Sequence, residues 1–218
     1  MADAPRDPPI HDPPIRLGVC VSGGGSTLQN LIDQIRARKL NAQIAQVVAS
    51  RPRIKAIARA EAVGIPLALA AQGKPTRAAL SASVFDPIRR QGADLVVLAG
   101  FLSLLDIPDD FRLRVINIHP SLIPSFCGKG YHGDSVHQSV IDYGAKISGC
   151  TVHFADEKYD SGPIILQRSV PVLEDDTPKS LAERVFQEEC KALPEAISLY
   201  AAGRLKLTGR RVRILDAP

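Results

Sequence analysis

The amino-acid sequence predicts an α/β fold in which a mostly parallel, twisted sheet is flanked by helices, with an antiparallel element near the C-terminus. Short apolar runs of about four to eight residues alternate with segments whose apolar residues recur at helical spacing, a pattern typical of parallel sheets. The length of 218 residues and the hydrophobic share of 45% suffice for one domain with a sizeable core.

The first strand is predicted at 17–21, a run that barely alternates and is therefore expected to be buried on both faces. A glycine-rich turn follows and opens a helix that extends to about Lys39. Pro52 suits the first turn of a second helix. A third helix is predicted over 76–91, where Pro87 should kink it or split it in two. Three further strands are predicted in this part of the chain, at 44–49, 66–69 and 94–99.

A strand at 115–118 follows, and a long loop separates it from two more strands at 148–154 and 164–170. Thr177 and Pro178 suit the N-cap and first residue of a long helix, and Gly203 suits its end. A terminal hairpin is predicted from strands at 205–207 and 212–215, with Thr208 and Gly209 between them. Residues 1–14 carry five prolines and predict a flexible arm ahead of a single domain over 15–218.

Charge and cysteine content narrow the class of protein. The 27 Lys and Arg residues against 23 Asp and Glu residues give a net charge of +4, which fits an anionic small molecule better than a nucleic-acid surface. The four cysteines lie far apart and form no C-x-x-C pair, which argues against a zinc site or a disulfide framework. No apolar run is long enough to span a membrane. We therefore expect a cytoplasmic protein without a bound metal.

The turn at 23–26 (Gly-Gly-Gly-Ser) joins a predicted strand to a predicted helix. Such a turn presents free backbone N–H groups at a helix N-terminus, which favours binding of an anion and most often of phosphate. A tight turn that needs glycine only for positive φ is the alternative. Leu28 occupies the third glycine position of a dinucleotide fingerprint, but Arg51 after the second strand keeps an NADP site open.

Asn117 and His119 end a buried strand and are two residues apart, so both side chains are expected to project into one crevice. An amide beside an imidazole suits the stabilisation of an oxyanion and the movement of a proton in acyl transfer. Asp160 lies in a Tyr-Asp-Ser-Gly-Pro turn, where an Asx turn is the alternative. A carboxylate near His119 would raise the pKa of the imidazole and orient its ring.

Two stretches, NIHPSLIPSFCGKG at 117–130 and SGCTVHFADEKYDSGPIILQRSVPV at 148–172, resemble the folate-dependent formyltransferases. The segments VCVSGGGSTLQNLI at 19–32 and VVLAGFLSLL at 96–105 resemble the same family in the same order. The resemblance covers about residues 15 to 207. The combination of N-x-H-P-S-L with a later D-x-G-P is highly specific to this superfamily, so the family implies a Rossmann-like fold and formyl transfer.

The resemblance is strongest to members that move a formyl group from 10-formyltetrahydrofolate to the amine of glycinamide ribonucleotide in purine biosynthesis. It implies that Asn117, His119 and Asp160 are catalytic. His119 would donate a proton to the tetrahedral intermediate. Asp160 would raise the pKa of His119 and help to accept the amine proton. Asn117 would hold the formyl oxygen as negative charge develops.

The resemblance also implies binding residues and two halves of the domain, a nucleotide-phosphate half at about 15–115 and a folate and catalytic half at about 116–207. The positions implied to bind the ribonucleotide are Gly24, Gly25, Ser26, Thr27, Leu28 and Glu189. The positions implied to bind the folate are Arg77, Leu102, Ser103, Leu104, Leu105, Asn117 and the loop 155–160.

Some positions depart from the family pattern. Thr27 stands where the family usually has an asparagine, and Ser103 stands where an arginine is common. The loop 129–136 is longer than in compact members of the family. His137 and His153 match histidines seen in relatives, and we expect both to be structural or to support the catalytic residues.

Other formyltransferases and other classes of protein are alternatives to an enzyme that formylates glycinamide ribonucleotide. We expect too few residues after Leu205 for the RNA-binding barrel of a methionyl-tRNA formyltransferase, and too short an arm for the regulatory domain of a formyltetrahydrofolate deformylase. A formyltransferase for an amino-sugar nucleotide, an NADP-binding oxidoreductase and a non-catalytic binding module stay open. The expected partners are two small-molecule substrates, without nucleic acid or membrane, in a monomer or homodimer.

Overall fold

The computed structural model describes residues 13–216 and is built around a seven-stranded sheet. The strands of this sheet are β1 (Ile15–Val21), β2 (Ala42–Ala49), β3 (Leu67–Leu69), β4 (Leu95–Leu98), β5 (Val115–His119), β6 (Ile147–Phe154) and β7 (Ile164–Pro171). The α-helices are α1 (Ser26–Arg36), α2 (Lys55–Glu61), α3 (Arg77–Arg90), α4 (Asp134–Tyr143) and α5 (Pro178–Ala201). A separate hairpin consists of β8 (Leu205–Thr208) and β9 (Arg211–Ile214).

The strand order is β3-β2-β1-β4-β5-β6-β7, and the first five strands of the chain run parallel to one another. β6 pairs antiparallel with both β5 and β7. The sheet is therefore mostly parallel, and the separate hairpin of β8 and β9 is antiparallel, which confirms the predicted fold class with its antiparallel element near the C-terminus. The strand order reverses direction between β1 and β4, and ligands of open α/β sheets bind in the crevice at the carboxyl ends of such strands.

Apolar side chains bury both faces of this sheet. In β1, Leu17, Val19 and Val21 contribute to the larger core cluster, together with buried residues of α1 and α5. Cys20 points to the opposite face and packs in a second cluster that contains Phe85 and Phe111. This two-sided burial explains why β1 shows little alternation in sequence.

Two helix boundaries differ from the sequence prediction because non-glycine residues adopt positive φ. Arg38 has a φ of 58°, and α1 ends at Arg36 rather than near Lys39. Arg53 has a φ of 60°, which is incompatible with a right-handed helix. The prediction that Pro52 lies in the first turn of the second helix is therefore wrong, since α2 begins at Lys55.

Proline does not split the third helix. α3 is continuous from Arg77 to Arg90 with Pro87 inside it, so of the two predicted effects of Pro87, a kink or a split, the split does not occur. Pro87 lies in the last turn, where its missing N–H removes one helical hydrogen bond, and its buried side chain packs on the core. Thr76 caps the other end by accepting a hydrogen bond from the Ala79 N–H.

Part of the segment that the sequence predicted as a long loop is helical. α4 begins after Gly133 and ends before Gly144, which has a φ of 76°. Its buried residues include Val136 and Val140. Two valines four residues apart among polar neighbours form too weak a helical pattern to predict the helix from the sequence. The hairpin turn consists of Gly209 and Arg210 instead of Thr208 and Gly209. Residues 1–12 of the predicted arm lie outside the described residues.

Candidate active site

Three loops meet at the carboxyl edge of the sheet. The glycine-rich turn follows β1, residues 100–105 follow β4, and β5 ends in Asn117 and His119. The loop 155–160 follows β6, which runs antiparallel and therefore ends beside the start of β5, where the Ala155 N–H donates to the Val115 carbonyl. The loop then folds back over the crevice, so that Tyr159 contacts Leu104 and Asp160 contacts Asn117. The crevice is thus assembled from four segments that are distant in sequence.

The glycine-rich turn leaves the N-terminus of α1 uncapped by any side chain. Gly25 is the N-cap and has a φ of 73°, which favours glycine. A Cβ atom at this position would lie 2.7 Å from the Cβ of Ala56, so α2 packs directly against the turn. Arg59 donates from Nε to the Gly24 carbonyl over 3.0 Å and adds positive charge beside the turn. The N–H groups of the first turn of α1 are therefore available to an anion.

The residues predicted to bind the ribonucleotide differ in their access to the crevice. Thr27 and Glu189 line the same cavity of about 430 Å³. Gly24 and Ser26 are exposed, and Gly25 is buried. The Leu28 side chain lies fully buried in the core, so only its backbone N–H could contact a ligand.

Asn117 is held between two partners. Its Nδ2 lies 3.1 Å from His153 Nε2 and donates to Asp160 Oδ1 over 3.3 Å. His153 Nδ1 lies 2.8 Å from the Phe154 carbonyl, which can only accept, so Nδ1 carries the hydrogen and Nε2 accepts from Asn117. Both hydrogens of the Asn117 amide are thus engaged.

His119 is buried and its two ring nitrogens have different surroundings. Nε2 lies 3.0 Å from the Phe126 carbonyl, which fixes a hydrogen on that nitrogen. Nδ1 lies 3.6 Å from Asp160 Oδ2 and is the nitrogen that can gain or lose a proton. The same carboxylate oxygen accepts a 2.8 Å hydrogen bond from the Gly128 N–H.

The environment lowers the pKa of both His119 and Asp160. Burial lowers the pKa of His119, and the opposing effects of Asp160 and the Phe126 carbonyl do not offset it. The sequence predicted that Asp160 raises the pKa of His119. Asp160 does act in that direction, but burial lowers the pKa by more, so the net shift is downwards. Burial alone would raise the pKa of Asp160, but the adjacent His153 and His119 rings and the Gly128 N–H hold it below its ordinary value.

The Asp160 side chain does not form the Asx turn that sequence offered as an alternative. Asp156 makes the local bonds instead, because its carboxylate accepts from the Lys158 N–H and the Ser161 hydroxyl. Asp160 has a φ of 52°, a conformation that aspartate tolerates better than most residues. This conformation accompanies contacts of its side chain with Asn117 and Gly128.

Two cavities adjoin this cluster. The larger cavity, of about 430 Å³, is lined by Thr27, Glu189 and the loop 128–133. The narrow cavity, of about 60 Å³, is lined mainly by apolar residues after β4 and by the loop 155–160. Asn117 and Asp160 line both cavities. The polar cluster therefore stands where groups held in the two cavities would meet.

The residues predicted to bind the folate divide between these cavities. Ser103, Leu104 and Leu105 line the narrow cavity, whereas Leu102 lines the larger one. Arg77 lines neither, because it forms a 2.6 Å ion pair with Asp106 and donates to the Leu105 carbonyl. Arg77 thus holds the segment that follows β4 in place without lining either cavity.

Glu189 is the acid of the larger cavity. Burial raises the pKa of its carboxyl to about 7. Within residues 13–216 its side chain has no hydrogen bond and no ion pair. Its carboxyl is therefore free to bind polar groups of a ligand.

Sequence reasoning missed several contributors to the site. The Phe126 carbonyl and the Gly128 N–H are backbone groups, which carry no signal in residue type. Tyr159 accepts from the Leu104 N–H and joins the loop 155–160 to the segment after β4. The contact of His153 with Asn117 depends on the register of β5 and β6, which the sequence did not supply.

His137 is buried on α4, and within the described residues its Nδ1 has no hydrogen-bond partner.

The described part of the chain contains no cluster of three His, Cys, Asp or Glu side chains that could hold a metal ion. Nor does any helix within residues 13–216 have the length and apolarity needed to cross a membrane.

Residues 15–197 match the family model of the formyl transferases. The chain belongs to the formyl transferase family. Among solved structures, glycinamide ribonucleotide transformylase 1 from Symbiobacterium toebii is 40% identical to this formyl transferase chain with a TM-score of 0.86, over 94% of this chain and 96% of that one. A formyltetrahydrofolate deformylase from Burkholderia mallei is 27% identical with a TM-score of 0.80, over 93% of this chain and 70% of that one.

Phosphoribosylglycinamide formyltransferase, chloroplastic, from Arabidopsis thaliana is 36% identical to this formyl transferase chain over 195 residues, which make up 88% of this chain and 67% of that protein. The chain spans only 19% of the length of the trifunctional purine biosynthetic protein of Bos taurus, to which it is 38% identical. The similarity thus extends over nearly the whole of this chain but over only part of its curated relatives.

Proposed function

We propose that this chain transfers a formyl group from 10-formyltetrahydrofolate to the amine of glycinamide ribonucleotide. The observation that carries the proposal is the position of Asn117, His119 and Asp160 between two cavities. A reaction that joins two substrates needs such a meeting point. The names of the similar plant enzyme and of the similar bacterial transformylase support this choice of substrates.

In this proposal His119 acts as the general acid. His119 lines the larger cavity, its Nδ1 lies 3.6 Å from Asp160 Oδ2, and its Nε2 is fixed by the Phe126 carbonyl. Protonated at Nδ1, the imidazole donates to the oxygen or leaving nitrogen of the reacting formyl group. Asp160 stabilises the imidazolium and accepts the proton that the attacking amine loses.

Asn117 stabilises the developing negative charge on the formyl oxygen in this proposal. Both amide hydrogens are engaged, one with His153 and the longer bond with Asp160. Donation to the formyl oxygen therefore requires exchange of the 3.3 Å contact with Asp160. His153 keeps the amide oriented during that exchange.

The two cavities suit the two proposed substrates. The larger cavity combines Thr27 and Glu189 with the uncapped N-terminus of α1, which suits a phosphorylated ribose carrying an amine. The narrow cavity combines apolar walls with the polar loop 155–160, which suits a flat heteroaromatic ring bearing polar groups. The net charge of +4 favours two anionic substrates.

Further expectations belong to this proposal. We place the protein in the cytoplasm as a monomer or homodimer that needs neither a metal nor nucleic acid. We assign residues 15–115 to a nucleotide-phosphate half and residues 116–207 to a folate and catalytic half, both built on one sheet.

A steady-state assay with 10-formyltetrahydrofolate tests the choice of acceptor. Glycinamide ribonucleotide and an amino-sugar nucleotide are offered in parallel, and folate product is followed by absorbance. We expect turnover with the ribonucleotide and background rates with the sugar. Faster turnover of the amino sugar would replace the proposed acceptor, whereas quenching of NADPH fluorescence without formyl transfer would favour an oxidoreductase.

A further inference from the structure

Helix α5 contains a proline little more than one turn after Glu189, the residue of this helix that lines the larger cavity. Pro194 lies inside α5, four residues after Cys190, and is buried. A proline has no N–H, so the Cys190 carbonyl lacks the helical donor that residue 194 would otherwise supply. A partly buried carbonyl without a donor costs stability, and it needs a hydrogen bond from outside the helix.

Asn30 supplies this hydrogen bond from another helix. Its Nδ2 donates to the Cys190 carbonyl over 3.1 Å, between residues 160 positions apart in sequence. Asn30 lies on α1, one helical turn after Thr27, so both side chains lie on one face of that helix. The bond therefore joins the helix that begins at the glycine-rich turn to the weakened turn of α5.

Glu189 immediately precedes Cys190 and lines the larger cavity together with Thr27. Among the described residues its carboxyl has no side-chain or backbone partner that would fix its direction. Where Glu189 stands relative to the cavity therefore depends on the backbone of α5 at this turn. The Asn30–Cys190 hydrogen bond joins that backbone to α1, the helix whose residue Thr27 lines the larger cavity.

We propose that Asn30 is a positioning residue, which holds the Pro194-interrupted turn of α5 against α1 so that Glu189 faces the ribonucleotide beside Thr27. The inference rests on the proposed function, because it takes the larger cavity to be the ribonucleotide site. Asn30 itself touches neither substrate in this account.

A double-mutant cycle of Asn30→Ala and Pro194→Ala tests the proposal. Asn30→Ala removes the donor, and we expect the KM for glycinamide ribonucleotide to rise about fivefold, as loss of one hydrogen bond implies. We expect kcat and the KM for the folate to stay within about twofold. Pro194→Ala restores an N–H to the helix, so the same Asn30→Ala change should have little effect in that background.

A second readout needs no substrate. Carbon-13 NMR of the Glu189 carboxyl should give a pKa near the value of about 7 set by its burial. Asn30→Ala should lower this pKa towards the ordinary value as the carboxyl becomes solvated, and Pro194→Ala should reverse the change. A merely structural role for Asn30 would lower the Tm and leave this pKa unchanged.

The outcomes separate the inference from the proposed function. An unchanged KM in Asn30→Ala, an equal rise in both backgrounds, or a parallel loss of all kinetic constants would overturn the positioning role. Absence of ribonucleotide formylation by the wild-type protein would overturn the proposed function instead. In that case the NMR cycle still decides whether Asn30 sets the environment of Glu189.

Discussion

At the scale of single residues, the site depends on the carboxylate of Asp160, which has four polar neighbours, one of them His153 at 3.7 Å. Asp160 lies 3.6 Å from His119, accepts from Asn117 and accepts from the Gly128 N–H. Burial alone would raise the pKa of this carboxyl, but the His153 and His119 rings and the Gly128 N–H favour its charged form and hold the pKa below the ordinary value. These contacts therefore favour the anionic form of Asp160 beside the His119 ring.

Replacement of Asp160 by Asn should leave the fold intact and lower kcat by about 100-fold or more, as expected for loss of a group in proton transfer. The amide oxygen can still accept from Gly128, so the loop should keep its position. Steady-state kinetics and circular dichroism check both statements. Asp109→Asn, which changes a carboxyl outside the catalytic cluster, is the control, and near-wild-type turnover of Asp160→Asn would exclude the proposed role.

The same variant makes a prediction about pH. Burial lowers the pKa of His119, and the charge of Asp160 works against that effect. Removing the charge should therefore lower the pKa of His119 further. Histidine NMR titration checks this, and a pKa that rises in Asp160→Asn would show that Asp160 does not stabilise the imidazolium.

At the scale of elements, the sequence predicted strands and capped helices well but missed long-range pairings. The turn at Thr177 and Pro178 was predicted from residue type, and both residues take the predicted positions in the N-terminal turn of α5. The hydrogen bond from Asn30 to the Cys190 carbonyl could not be predicted, because its donor and acceptor come together only when α1 packs on α5. α4 was missed because its core-facing residues are few.

Gly25→Ala should destabilise the protein by about 2–4 kcal/mol, from the left-handed backbone conformation and from overpacking against Ala56. Because the strain lies in the turn that opens α1, the KM for the ribonucleotide should also rise. Thermal unfolding and kinetics measure the two effects. A Cβ atom at Gly23 would meet nothing within 4 Å, so the Tm of Gly23→Ala should stay closer to wild type. Equal Tm values for the two variants would contradict this account of the turn.

The start of α5 depends on Asp176, whose side chain is only 3% exposed. Its carboxylate accepts two hydrogen bonds from Arg184 and one from the Leu173 N–H, at distances of 2.7 to 2.8 Å. Asp176→Asn should lower the stability by about 2 kcal/mol and the Tm by about 4–8 °C. The neighbouring Asp175 is exposed, and Asp175→Asn serves as the matched control.

The contribution of Asp176 should depend on pH with a definite sign. The Arg184 guanidinium lowers the pKa of Asp176 below its ordinary value of 3.8 in the folded protein. A lowered folded-state pKa contributes stability above about pH 4, and this contribution is lost as the pH falls through the folded-state pKa. The stability difference between wild type and Asp176→Asn should therefore be full at pH 7 and shrink below pH 4. A difference that grows on acidification would refute this assignment.

At the scale of the whole molecule, apolar runs and glycine turns were sufficient to predict the α/β fold and the edge of the sheet that carries the site. They could not predict that β6 runs antiparallel, which brings His153 beside Asn117. Nor could they predict the two cavities, since each is lined by segments that are distant from one another in sequence. Local patterns follow from residue type, whereas the shape of a crevice follows from packing over long sequence distances.

We propose that the cluster between the two cavities passes a formyl group to an amine and not to water. A formyl transferase fold alone does not decide this, because a formyltetrahydrofolate deformylase shares the fold. The most direct measurement follows carbon-13-labelled formyl from 10-formyltetrahydrofolate in the presence and absence of glycinamide ribonucleotide. We predict formylated ribonucleotide in amounts equal to tetrahydrofolate, with formate at background. Release of formate at the same rate with and without the ribonucleotide would contradict the account.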